Sequence, residues 1–334
     1  MGQKIGRQTF VLSKPIYIIG FSTIAGSKEG DGPIGKYLGN VVPDDQMHQD
    51  TFEKAERRMM ESVIFDALTD AKLNEEDLDL LIGGDLLNQI VTTNYTARAY
   101  NVPFVGIYGA CSTMAESLGL ASILLDGGYG TNIACTTSSH FSTSERQFRS
   151  PLELGNQRQT YSQWTVTGAG CSVLSTTGTG PKITKVCFGK VTDFGVTDIA
   201  NMGAAMAPAA MNTLYSFFEE SGTRPEDYDL IATGDLGKLG SDILRDLMKE
   251  KGYELGKNYM DCGHTIYSGS QKTFQGGSGA GCSALMLNSY ILQHLKSGAM
   301  KKVIFMATGA LMSTTSNQQG DTIPSIAHLV VIEA

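Results

Sequence analysis

The segment Glu76-Asp77-Leu78-Asp79-Leu80-Leu81-Ile82-Gly83-Gly84-Asp85-Leu86 returns without a gap as Glu226-Asp227-Tyr228-Asp229-Leu230-Ile231-Ala232-Thr233-Gly234-Asp235-Leu236, offset by 150 at every position, with seven of eleven residues identical. Short repeats build solenoids, but one duplication at this spacing points to two similar half-domains. In both copies an amphipathic helix precedes the motif, over Arg57 to Ala71 and Met211 to Ser221. An acidic turn, a short apolar run and Gly-Asp-Leu follow, which reads as helix, turn, buried strand and site-facing loop.

A chain of 334 residues with 41% hydrophobic residues, 18% charged residues and 39 glycines suits a compact α/β architecture with tight turns. The net charge of −8 argues against nucleic acid as a partner and gives no polybasic reason to sit on an anionic membrane. No apolar run reaches the ~18 residues of a membrane-spanning helix. The first ten residues lack a secretory h-region. The expectation is a soluble protein made in the cytoplasm, with membrane association only through partners. The six cysteines form no C-x-x-C pair, so neither a zinc site nor a thioredoxin-like site is expected, and no cofactor motif is present.

Alternating strands and helices predict a mostly parallel sheet in each half, 1–180 and 181–334. Strands are expected at Ile16–Gly20, Leu78–Ile82, Phe104–Tyr108, Asn132–Thr136, Thr165–Ser175, Ile183–Phe188, Leu230–Thr233, Lys302–Ala307 and Ala327–Ile332. Helices are expected at Phe52–Ala71, Thr93–Tyr100, Ser112–Leu125, Ala204–Ser221, Ser241–Lys251 and Ala284–Lys296. Ala110-Cys111-Ser112 before one helix is mirrored by Gly281-Cys282-Ser283 before another.

Cys111 is the leading chemical candidate. It lies between an apolar strand and a helix, where a helix N-terminus would lower the thiol pKa and favour the thiolate. A buried structural thiol is the alternative. Gly30 to Tyr37 has P-loop spacing, but Tyr37 stands where Ser or Thr must reach magnesium, so it is no nucleotide site. Gly277 to Gly281 lacks the strand that a nucleophile elbow requires. Arg146 and Arg149, spaced i, i+3, suit carboxylate capture, or else form surface ion pairs or a dimer contact. His140 could donate to an anion or be an ordinary loop histidine. Asp261, beside Cys262, could orient a donor or a ligand-bound calcium, or hold a turn.

The Ala110-Cys111-Ser112-Thr113 turn and the duplicated halves resemble the thiolase superfamily, and Gly168-Ala169-Gly170 resembles β-ketoacyl-carrier-protein synthase III. That resemblance implies a thiolase-like αβαβα fold in two pseudo-symmetric halves, a homodimer, and an acylated nucleophile at Cys111. It also implies a second-half His and Asn. Here those places read Gly234-Asp235-Leu236-Gly237 and Gly276-Gly277-Ser278-Gly279, so both partners are missing.

Gly84 to Gln89, Gly109 to Thr113, Ser138-Ser139-His140, Glu145 to Arg149, Met206 to Ala210, Asp261-Cys262-Gly263 and Ile323 to His328 resemble the stage V sporulation AD family across nearly the whole chain. The resemblance implies a protein that binds dipicolinic acid, with or without calcium, and serves its movement into the developing spore. It implies partners among the other stage V sporulation A proteins at the spore inner membrane. The ligand site would gather Cys111, His140, Arg146, Arg149, Asp261 and Cys262. The alternatives are an acyltransferase that uses Cys111, or a scaffold in a membrane-associated complex.

Overall fold

A computed structural model describes residues 2–148 and 157–334. Its main strands are β1 Thr9–Ala25, β2 Leu80–Gly84, β3 Phe104–Gly106, β4 Asn132–Ser139, β5 Gly168–Ser175, β6 Lys182–Phe188, β7 Leu230–Thr233, β8 Tyr259–Asp261, β9 Lys302–Ala310 and β10 Ser325–Glu333. They hydrogen-bond in the order β8-β7-β9-β10-β6-β1-β5-β4-β2-β3. Numbered within each set of five, both halves read 3-2-4-5-1 from edge to centre, and the two first strands, β1 and β6, join antiparallel.

Each half is mixed rather than mostly parallel. β3-β2-β4 and β8-β7-β9 are parallel, whereas β5 and β10 run antiparallel to their neighbours. Chain order could not reveal this reversal, because a strand adjacent in sequence can pair in either direction.

The repeat has a local cause. The Asp79 carboxylate accepts from the Thr131 and Asn132 N–H groups at 2.6 and 3.0 Å, and Asp229 accepts from Lys301 and Lys302 at 2.7 and 3.0 Å. Each aspartate therefore secures the start of the neighbouring parallel strand. Asp77 and Asp227 each close the preceding turn by accepting a backbone N–H at 2.8 Å.

Two outer helices lead into these turns. Phe52–Ala71 is capped by Thr51 and stops at left-handed Lys72; Met202–Ser221 is capped by Asn201 and stops at Gly222. The first buries Met59, Met60, Val63, Ile64 and Ala67 against one half of the sheet, and the second buries Met206, Ala210, Leu214 and Phe217 against the other. Helix Thr113–Asp126 and the helical run 280–296, which carries a π turn at Leu287–Ile291, pack between the halves. The layers are helix, sheet, helix, sheet, helix.

β1 extends far beyond Ile16–Gly20. Pro15 lacks an N–H for the ladder, and the pairing with β6 slips between Val11 and Ile16. The displaced Ser13 and Lys14 N–H groups bond instead to Asp126, at 2.9 and 3.2 Å.

Candidate functional site

Residues 110–112 make a single 3₁₀ turn ahead of helix Thr113–Asp126. Ala110 holds a left-handed φ of 50°, a conformation that costs a non-glycine residue ~1 kcal/mol or more. The turn packs against β9 so closely that a Cβ on Gly309 would stand 2.1 Å from the Gly109 carbonyl. Strain and packing together fix the direction of the Cys111 side chain.

The half-buried Cys111 thiol meets Asp235, which is fully buried. Asp235 Oδ2 accepts from the Gly279 N–H at 2.9 Å and the Ser278 hydroxyl at 3.3 Å, while Oδ1 accepts from Thr308 at 3.0 Å. Gly279 has φ 105°, which suits glycine alone, and a Cβ there would lie 2.7 Å from Ser139 Oγ. The stretches Gly234–Gly237 and Gly276–Gly279, where the resemblance leads one to look for a His and an Asn, both converge on the cysteine. They supply a carboxylate, a hydroxyl and a backbone N–H, but no imidazole.

This arrangement reverses the expected ionisation of Cys111. Burial, then the Asp235 charge and its hydrogen bond, push the thiol pKa well above its ordinary value, against smaller opposing effects of Gly279 and Ser278. The helix dipole does not overcome a desolvated thiol beside a carboxylate. Burial and the neighbouring Asp261 push Asp235 up to about 7.

The thiol opens on a pocket of about 60 Å³ lined mainly by apolar side chains, among them Leu86, Phe148, Met202, Met206 and Met312. Its polar rim includes Ser144, Thr165 and Ser278. Ser144 Oγ is buried and has no hydrogen-bond partner among the described residues. No Lys or Arg is among the described lining residues. Sequence reasoning missed Ser144, Phe148 and the methionines. Ser144 and Phe148 belong to a short helix, Phe141–Phe148, of only eight residues, that the sequence reading did not assign, and the methionines look like ordinary core residues.

The other expected site residues stand elsewhere. His140 Nδ1 accepts from the Ser142 N–H at 3.1 Å, so Nε2 carries the proton and donates to the Asp45 carbonyl at 3.0 Å. Burial lowers its pKa, and it does not line the pocket. Arg146 is half-exposed and pairs with Glu53. Arg149 lies outside the described residues. Asp261 is a buried cap that accepts from Leu236, Gly237 and His264 N–H groups at 2.9 Å each and from Thr233 Oγ1 at 2.7 Å. Cys262 is in the core. Cys282, the mirror of Cys111, is buried with its sulfur 3.5 Å from the Gly234 carbonyl. Among the described residues no group of three or more His, Cys, Asp or Glu could hold a metal ion.

A family model for stage V sporulation protein AD matches residues 6–333. The chain belongs to the stage V sporulation protein AD family. The member from Bacillus subtilis (strain 168) is 46% identical over 328 residues, covering 98% of this chain and 97% of that protein. The fold is thiolase-like. 3-Oxoacyl-[acyl-carrier-protein] synthase III from Aquifex aeolicus VF5 matches 96% of this chain and all of its own at 14% identity and a TM-score of 0.56. OleA from Xanthomonas campestris, crystallised with cerulenin, matches 97% of this chain and 98% of its own at 12% identity and a TM-score of 0.62. At these identities the two enzymes share the architecture with this family member, and nothing about its chemistry follows from them.

Proposed function

We propose that this sporulation protein binds dipicolinate in the Cys111 pocket, without condensing chemistry, and serves its delivery into the developing spore. The Cys111–Asp235 contact carries the reading. The thiol is held protonated, with a buried carboxylate and no imidazole beside it, so Cys111 serves as a wall of the pocket rather than as a nucleophile. The apolar walls suit a flat ring, and the Ser144 hydroxyl, without a partner among the described residues, suits a carboxylate oxygen.

The described lining carries no cation, and Asp235 disfavours a nearby anion. The charge balance favours the calcium chelate, in which two positive and two negative charges cancel. No helix among the described residues is long and apolar enough to cross a membrane. The role at the spore inner membrane therefore runs through the other stage V sporulation A proteins, which would receive the ligand.

Calorimetric titration with dipicolinate, with and without calcium, tests the assignment on wild type and Cys111→Ala. Binding that weakens in the variant while its melting temperature holds supports the location. Unchanged affinity removes the site from this pocket. Intact-mass measurement after exposure to acyl-coenzyme A covers the acyltransferase alternative, which the apolar pocket at the thiol favours. A Cys111 adduct that turns over would replace the binding reading.

A further inference from the structure

Gln163 is a buried residue of the first half, and its side-chain amide reaches into the second. Nε2 donates one hydrogen to the Asp235 carbonyl at 2.6 Å and the other to the Gly277 carbonyl at 2.7 Å. The reverse amide orientation would set Oε1 against two carbonyl oxygens, so the neighbours fix which end points there. Oε1 itself has no hydrogen-bond partner among the described residues. The amide is placed for its two donors.

These bonds close a ring around the cysteine's neighbour. Gln163 holds the Asp235 backbone, the Asp235 carboxylate holds the Gly279 N–H at 2.9 Å, and Gly277, two residues earlier, returns to Gln163. The main chain beside Gln163 reinforces the ring. Trp164 and Thr165 pair in parallel with Gly277 and Ser278. The Trp164 N–H donates to the Gly276 carbonyl and the Val166 N–H to the Ser278 carbonyl, at 2.8 Å each. The Gln163 carbonyl accepts from Arg158, whose guanidinium pairs at 3.2 Å with Glu145, on the helix that brings Ser144 to the pocket.

We propose that Gln163 is the positioning residue that registers the Asp235 carboxylate, carried by the second half, against the Cys111 thiol, carried by the first. The titratable groups facing Asp235 are Cys111, Asp261, Cys262 and Cys282. Gln163 brings no charge of its own, so it acts on the thiol only through the placement of Asp235, one of the groups that keep the thiol protonated. The inference rests on the reading of Cys111 as a protonated wall of the pocket, and it needs no ligand.

Gln163→Met keeps the side chain's length and removes both donors. Iodoacetamide alkylation of Cys111, followed by mass spectrometry across pH 7 to 9, should run about threefold faster or more in this variant, half a unit of thiol pKa, with the profile moved to lower pH. In the Asp235→Asn background the same substitution should add nothing, because the charge it misplaces is gone. Asp229→Ala, outside the pocket lining, controls for general loss of stability and should leave the profile in place. Gln163→Asn, which draws the amide back by one methylene, takes the place of Gln163→Met if that variant does not fold. An unmoved profile, or the same acceleration with and without the Asp235 charge, overturns the proposal and leaves Gln163 a structural staple. If Asp235→Asn accelerates alkylation and the Gln163 variant does not, only this inference falls. If Asp235→Asn itself changes nothing, the reading of the Cys111–Asp235 contact falls, and this inference with it.

Discussion

Asp85 and Asp235 occupy the same position in the two copies of the repeat, yet only Asp235 meets the Cys111 thiol. Asp85 spends its carboxylate on the Leu87 N–H at 2.9 Å and on Thr93, through its N–H at 2.8 Å and its hydroxyl at 2.7 Å. Asp235 holds the Ser278–Gly279 turn and lies beside the cysteine. Duplication supplied two buried carboxylates, and only one came to lie against Cys111.

Asp235→Asn should make Cys111 more reactive. Removing the charge takes away one cause of the raised thiol pKa, and each unit of lowering gives about tenfold more thiolate. Iodoacetamide alkylation of Cys111, followed by mass spectrometry across pH 7 to 9, should speed up by roughly tenfold. Asp85→Asn should leave the rate alone. Equal rates in wild type and Asp235→Asn would show that burial alone governs the thiol.

Stability should peak on the acid side of neutrality. Burial raises Glu29 to about 7, Glu56 to about 8 with Asp85 adding repulsion, and Asp235 to about 7. Each binds its proton more tightly folded than unfolded. Their stabilising contribution is complete below the ordinary carboxylate range and is lost as pH rises through these raised values. Asp126 and Glu220 act oppositely: both are lowered, because hydrogen bonds outweigh the burial that would raise them, and their contribution is lost on acidification. Thermal melts should therefore be highest near pH 5, roughly between the two ranges, and fall towards pH 8. Glu56→Gln should flatten that fall, and an unaltered slope would contradict the assignment of a neutral Glu56.

Asp79→Ala and Asp229→Ala should cost similar amounts, about 1 kcal/mol each, since each frees two backbone N–H groups that solvent can partly satisfy. Urea unfolding of the two variants measures this. A cost confined to one of them would mean that the repeat is not doing the same structural job twice.

Ser144→Ala should separate stability from binding. Its buried hydroxyl has no partner among the described residues, so removing it should leave stability unchanged or raise it by up to about 1 kcal/mol. If the hydroxyl waits for a ligand in the Cys111 pocket, dipicolinate should bind the variant more weakly. A destabilised Ser144→Ala would place an unseen structural partner there instead.

The duplication was legible because its causes are local. Asp77, Asp79, Asp227 and Asp229 bond to nearby turns and to the start of one adjacent strand, and such bonds leave a fixed spacing in the chain. Cys111 was legible as the residue between strand and helix, and the absence of an imidazole was legible at Asp235. The ionisation of Cys111 was not. It depends on burial and on a carboxylate 124 positions away, which only the meeting of the two halves decides. His140, Arg146, Asp261 and Cys262 looked like site residues because they have the right chemistry in suggestive motifs. Packing assigned them to a carbonyl, a surface glutamate, a helix cap and the core, because a polar or apolar group is satisfied by whatever the tertiary fold brings within reach.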